Sequence, residues 1–147
     1  MSDYRVYDVF TDTPGGGNPL AVVFEADGLS DAPLASHEET AEFASRLVEK
    51  GVANVVVIGR GPDGSVMVTP DQRIHARCDV PAVRSRIGAG DSLMGAMVLA
   101  FSRGETATKA LQFGVAAASA AVLTEATELC RRGDVDRLLP ACVVTQL

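Results

Sequence analysis

Ile87-Gly88-Ala89-Gly90-Asp91-Ser92 sets three small residues and an acid at the point where an apolar run, Leu93 to Ser102, begins. Glycine lets the backbone approach a ligand closely. The N–H groups of a first helical turn have no carbonyl partners within the helix and point outward with a partial positive charge. The pattern therefore predicts a phosphate-binding turn that opens a helix. An acid at the head of that turn opposes anion binding by its charge. Its presence is explained if the carboxylate takes the proton from a hydroxyl that attacks the phosphate. The alternative is a plain glycine turn with Asp91 as helix N-cap.

On either reading Ser92 to Ser102 is a helix stopped by Gly104, and Thr106 caps a second helix running to about Leu123. Gly114, Ala116, Ala117, Ala118, Ser119, Ala120 and Ala121 make that second helix fine-grained, which suits close helix packing more simply than contact with a nucleotide. A last short helix covers Asp134 to Leu139 and ends at Pro140. Upstream, Ser36 and Glu39 form a capping-box pattern ahead of Ala41, Ala44, Leu47 and Val48, closed by Gly51. Val55 to Ile58 is a β-branched run of the kind found in buried parallel strands. Ser65 to Thr69 and Arg73 to Arg77 read as a hairpin about Pro70-Asp71, and Tyr4 to Phe10 with Leu20 to Glu25 as another about Pro14 to Asn18. The sheet is expected to be mixed.

The chain has 147 residues, room for one domain with a real core, and 47% hydrophobic content excludes global disorder. A net charge of −6 argues against a nucleic-acid surface or a polybasic membrane patch. No stretch has the form of a signal peptide, and the longest apolar runs are too short to span a bilayer, so the expectation is a cytoplasmic protein with small-molecule or protein partners. Cys78, Cys130 and Cys142 are odd in number and widely spaced, and neither His37 nor His75 clusters with them in sequence, which predicts reduced thiols rather than a disulfide or zinc site.

Four stretches, Arg46 to Val57 (RLVEKGVANVVV), Gly88 to Met97 (GAGDSLMGAM), Phe113 to Leu123 (FGVAAASAAVL) and Thr127 to Leu138 (TELCRRGDVDRL), resemble the pfkB, or ribokinase-like, carbohydrate kinases, in family order and near family spacing. The likeness is to the C-terminal half of type-2 6-phosphofructokinases. It implies an α/β fold, part of a ribokinase-like three-layer α/β/α sandwich. It also implies ATP-dependent phosphoryl transfer to a sugar or a sugar phosphate such as fructose 6-phosphate, with Mg²⁺. By the resemblance Asp91 is the base, Gly88, Ala89 and Gly90 form the anion hole, and Gly59, Gly61, Gly64 and Ser119 contact the nucleotide. The turn from Ile58 to Gly64 is one residue longer than the family's. Arg86 stands where the family commonly has Thr. The family's monovalent-cation site would map to Ser85, Ile87, Ala121, Thr124 and Ala126. Ala126 replaces a glycine there, which argues against potassium activation. The family's Asn-x-x-Glu motif for Mg²⁺ is absent, and His37, Glu38, Glu39 and Glu42 read as a solvated helix face.

Residues 1–31 resemble instead the opening hairpin of PhzF-like isomerases, on Tyr4 to Pro14 and Gly17 to Val23. The chain thus reads as a PhzF-like hairpin and junction, 1–35, joined to the C-terminal portion of a pfkB-type kinase domain, 36–147. Without the family's N-terminal half, Val55 to Ile58 is expected to be an exposed edge that the hairpin covers or that pairs with a second copy, giving a homo-oligomer, a dimer in the simplest case. Two other readings stand beside the kinase: a PhzF-like isomerase or epimerase, and an incomplete nucleotide-binding chain without turnover. The N-terminal half supplies most of the family's sugar contacts, so the sequence does not name the sugar.

Overall fold

The computed structural model describes the backbone of residues 4–9 and 18–23, and residues 35–125 and 128–147 throughout. It divides into two compact units, Met1–His75 with Thr145–Leu147, and Ala76–Val144.

The sheet has six strands in the order β1 (Tyr4–Val9), β2 (Asn18–Val23), β3 (Val55–Gly59), β4 (Ser65–Val68), β5 (Arg73–Arg77) and β6 (Val143–Gln146), of which β1 to β4 lie wholly in the first unit. β1 and β2 pair antiparallel from Tyr4 opposite Val23 to Val9 opposite Asn18, as the hairpin reading required; its turn lies outside the described residues. β2 then runs parallel to β3, with Leu20 opposite Val55 and Val23 opposite Ile58, while β4 pairs antiparallel on the other side. Of the two alternatives for the edge at Val55 to Ile58, the structure has the first: the hairpin pairs with it through β2, and β3 is an interior strand. Pro19, which has no N–H to donate, precedes the paired residues that begin at Leu20, so β2 takes its place between two strands without losing a bond to β3.

Helix α1 (His37–Glu49) starts where Ser36 Oγ accepts the N–H of Glu39 at 3.1 Å; Glu39 Oε2 in turn accepts the N–H of Ala35 at 2.7 Å, one residue before the partner of a regular capping box. It ends in a Schellman pair, Gly51 N–H to Val48 O and Val52 N–H to Leu47 O, with Gly51 at φ 69°. Ala41 and Ala44 pack with Val56 and Ile58 of β3 and Val66 and Val68 of β4, and Phe43, Leu47 and Val48 close the rim. Each buried Val or Ile side chain contributes about 1.5–3 kcal/mol. Val57 is as fully buried as its neighbours, so β3 is covered on both faces, the pattern a continuous β-branched run predicts.

The second unit holds α2 (Ala89–Ser102), α3 (Ala107–Ala121) and α4 (Arg132–Leu138). Thr106 caps α3 through Lys109 N–H, and Gly104, at φ 74°, closes α2. The small residues of α3 serve helix packing, as read: a Cβ at Gly114 would lie 2.5 Å from Met97 Cγ and 3.1 Å from both Leu93 Cδ1 and the Leu93 carbonyl of α2. Behind α3, Gln112 donates to the carbonyls of Leu139 and Cys142. All three cysteines are free thiols; burial and the neighbouring Cys78 push the Cys142 thiol well above its ordinary value, which keeps it protonated.

Gly114 and Gly95 give a paired test of this packing. Gly95 lies mid-α2 with nothing near its missing Cβ. Gly95→Ala is expected to raise stability by about 0.5–1 kcal/mol through backbone entropy, and Gly114→Ala to lower it by about 1–3 kcal/mol through overpacking. Urea unfolding of both variants reads the two opposite signs.

Candidate functional site

The loop into α2 is suspended from the end of α3: Arg84 and Ser85 donate their N–H groups to Val122 O at 2.8 and 3.4 Å. Ser85 Oγ accepts Ile87 N–H at 3.2 Å. Gly88 then adopts the left-handed conformation, φ 81°, and α2 begins at once with Ala89, three residues earlier than the sequence pattern places it. The helix cap is Gly88 and not Asp91, so the plain reading of Asp91 as an N-cap is corrected. The physical reason lies in Gly88, whose positive φ turns the chain into helical geometry without a side-chain cap. Asp91 becomes the third residue of the helix, with an exposed side chain. Of the first-turn N–H groups, Ala89 reaches Arg86 O at 3.5 Å and Ser92 bonds Gly88 O at 2.9 Å, while the α-helical pattern assigns Gly90 and Asp91 no acceptor within the helix. A carboxylate and outward N–H groups thus share one turn. Ser92 Oγ, next along, is buried and has no hydrogen-bond partner, a feature no sequence pattern announced. Arg86 is exposed.

The loops carrying the mapped cation ligands are brought together, since Ser85 hangs from Val122, next to Ala121. The donor set itself does not fit a monovalent cation. Ala121 O already accepts two bonds from Thr124, from N–H at 3.0 Å and from Oγ1 at 2.7 Å, and Thr124 Oγ1 also lies 2.7 Å from Glu128 O. Ile87 is exposed, and Ala126 lies outside the described residues. No group of three or more His, Cys, Asp or Glu side chains suited to a metal occurs among the described residues.

In the first unit, Gly59 ends β3 and a single 3-10 turn, Gly61–Asp63, follows, with Gly61 at φ 57° and Gly64 at φ 87°. The turn is closed by Arg60 N–H to Gly64 O at 2.8 Å, Asp63 N–H to Arg60 O at 3.2 Å and Gly64 N–H to Gly61 O at 3.1 Å. Three of its amides are therefore engaged within the turn. What it offers outward is access: nothing lies within 4 Å of a Cβ built at Gly59 or Gly61. Ser119 sits half-buried on α3, in the second unit. Sequence reasoning missed the side chains that brace this turn. Arg60 donates to Thr40 Oγ1 at 2.6 Å, and His75 contacts the Asp63 carbonyl and stacks on His37. Glu38, Glu39 and Glu42 are exposed on α1 as expected, whereas His37 is half-buried and stacked on His75.

Over residues 23–132 the chain matches the pfkB family carbohydrate kinase model, and it belongs to that family. It is 32% identical over 114 residues to the ATP-dependent 6-phosphofructokinase isozyme 2 of Escherichia coli K12, covering 78% of this chain and 37% of that protein. It is 35% identical over 127 residues to the 1-phosphofructokinase of Borreliella burgdorferi, covering 83% and 40%. The crystal structure of Escherichia coli phosphofructokinase-2 in complex with potassium superposes with a TM-score of 0.72 at 32% identity, over 79% of this chain and 38% of that one. The fold is thus a portion of the ribokinase-like α/β architecture with an N-terminal hairpin, and the chain spans about two fifths of the length of these curated relatives. The family match begins at residue 23, ahead of the boundary expected between residues 35 and 36.

Gly88 and Gly104 both hold positive φ, one at the site and one at the far end of α2. Gly88→Ala and Gly104→Ala are each expected to lose about 1 kcal/mol of stability from backbone strain. Only Gly88→Ala is expected to weaken Mg-ATP binding, as read by calorimetric titration beside denaturant unfolding of the same samples.

Proposed function

We propose that this chain carries the phosphoryl-transfer elements of an ATP-dependent sugar or sugar-phosphate kinase. The observation behind this is the first turn of α2, which combines outward N–H groups with the exposed carboxylate of Asp91. In the reaction the acceptor hydroxyl oxygen attacks the γ-phosphorus, the bond from that phosphorus to the β,γ-bridging oxygen breaks, and ADP leaves. Asp91 takes the hydroxyl proton as the new P–O bond forms. The N–H groups of Gly90 and Asp91, with Ala89 released from its long bond to Arg86, stabilise the charge spread over the transferring oxygens. Mg²⁺ bound with the nucleotide would supply neutralisation of phosphate charge, and Asp91 is the carboxylate of the turn that would be available to it.

Gly59, Gly61, Gly64 and Ser119 are the proposed nucleotide contacts, with close approach to the glycines rather than a ring of amides as the contribution of the Gly59–Gly64 turn. The names of the relatives support a fructose phosphate as acceptor. No step runs through potassium. The span of about two fifths of the relatives favours one further reading, in which the chain binds nucleotide without turnover until a second chain completes the site. In keeping with that, β1 is an edge strand of the sheet among the described residues, and we read 1–35 as the hairpin and junction and 36–147 as the kinase portion of a self-associating chain. A cytoplasmic setting accords with the absence, among the described residues, of any helix long and apolar enough to cross a membrane. The PhzF-like reading rests on residues 1–31, whose side chains lie outside the described residues, and nothing else in the chain favours it.

Asp91→Asn keeps the side-chain shape and removes the basic oxygen. It is expected to abolish phosphoryl transfer from ATP to fructose 6-phosphate while Mg-ATP affinity is unchanged or slightly higher; coupled ADP release and calorimetry separate the two. Turnover at the wild-type rate would show that Asp91 is not the base. Light scattering at micromolar protein is expected to give the mass of a dimer.

A further inference from the structure

The two histidines of the chain face each other. The rings of His37 and His75 are stacked, with centroids 3.9 Å apart and planes inclined by 17°. His37 is the first residue of α1, and His75 is the buried centre of β5. His75 Nε2 lies 2.6 Å from the carbonyl oxygen of Asp63, in the turn after β3. A carbonyl only accepts, so this nitrogen carries a proton and donates. On the same face of α1, Thr40 Oγ1 accepts from the Arg60 guanidinium at 2.6 Å. Two side-chain links thus join the first turn of α1 to the Gly59–Gly64 segment, one near each of its ends, and the imidazole stack is the one that includes His37.

We infer that the His37–His75 stack is a proton-sensitive latch, holding the Gly59–Gly64 turn against α1 while His37 is neutral and releasing it when His37 is charged. A charged His37 would lie against a second imidazole, close to the Arg60 guanidinium and at the positive end of α1. The groups that face it are Glu38 on α1, Arg60 and Asp63 in the turn, and His75 on β5. Burial, then His75 and Arg60, hold His37 below its ordinary value of 6.5, and the carboxylates of Asp63 and Glu38 oppose them without reversing the direction. Because the unfolded chain takes up this proton first, the contribution of the stack is complete above pH 6.5 and is lost as pH falls through the lowered value of His37.

That the turn meets a nucleotide rests on the proposed function; the latch does not, and its test needs no ligand. In the full chain, amide-exchange protection factors of Arg60, Asp63 and Gly64, whose N–H groups bond within the turn, are measured by NMR between about pH 5 and 8, together with the His37 ring titration. Their protection is expected to fall several-fold relative to amides of β3 and β4, in step with His37 titrating below 6.5. In His37→Phe, which keeps a stacking ring and has no proton to gain, protection is expected to stay level across the range. A wild-type pH profile in that variant, or a His37 titration at or above 6.5, overturns the latch. Should the variant fail to fold, loss of step between ring titration and turn protection in the wild type overturns it equally. Latch behaviour in a chain that stays silent to Mg-ATP supports the latch and removes the nucleotide reading.

Discussion

The backbone of β3 runs through the interior with both faces covered, and every N–H and C=O it carries must find a partner along its two edges. β4 satisfies one edge through a short connection that the Gly61–Asp63 turn makes tight. The other edge needs a parallel strand, which no adjacent hairpin can supply, because parallel strands are joined only by a crossover. β2 meets the need from well upstream, and α1 is the crossover helix that carries the chain from β2 to β3. The β2–α1–β3 unit is therefore one object: the helix that buries Val56 and Ile58 is also the connection that lets β2 pair with them.

In the second unit the corresponding constraint is the closeness of α2 and α3. Gly114 has no room for a methyl group, and the nearest backbone atom is a carbonyl of α2 itself. Helices in such contact do not slide independently. The loop that opens α2 is bonded at Arg84 and Ser85 to the end of α3, and so the first turn of α2 is held from both sides: by side-chain packing along its length and by backbone bonds ahead of it. A phosphate-binding turn must keep its N–H groups oriented without help from the ligand, and this arrangement provides the rigidity that such preorganisation needs.

What the sequence disclosed and what it withheld divide along the range of the interaction. Ser36 with Glu39, Gly51, Thr106 and Gly104 act within a few residues of themselves, and each helix end they announce is present. The small residues of α3 also disclosed their use, since close packing is the commonest reason for a Gly and Ala face. The start of α2 was misplaced because pattern reading sought a polar cap, whereas Gly88 enters the helix by its φ alone. β6 went unread because Val143 and Val144 give too short a β-branched run to weigh against a chain end, and its pairing with β5 is made across about half of the sequence. The histidine stack and the Arg60–Thr40 bond were out of reach for the same reason: nothing local to His37 or His75 indicates that α1 and β5 bring their rings together. The resemblance gave the glycines at 59, 61 and 64 to the nucleotide, but glycine content reports only freedom of φ, and the chain uses that freedom to close the turn on itself.

The proposed phosphate site in a chain of net charge −6 poses an electrostatic question, because nearby carboxylates would repel the ligand. A lysine or arginine clamp is one solution, yet the cation closest in sequence to the α2 turn, Arg86, is exposed and its carbonyl is what Ala89 touches. The alternative is to use charge that does not appear in a residue count. Backbone N–H groups at a helix start supply a partial positive charge at a fixed place and direction, and short-range contact makes them effective where the mean field of the protein is unfavourable. The same economy explains how Asp91 can share the turn. Its negative charge would be intolerable in a site built on diffuse attraction, but in one built on directed hydrogen bonds it is compatible with the proposed phosphate contacts and with the proposed role as base. Directionality, in this arrangement, is what lets an acid and an anion occupy neighbouring positions.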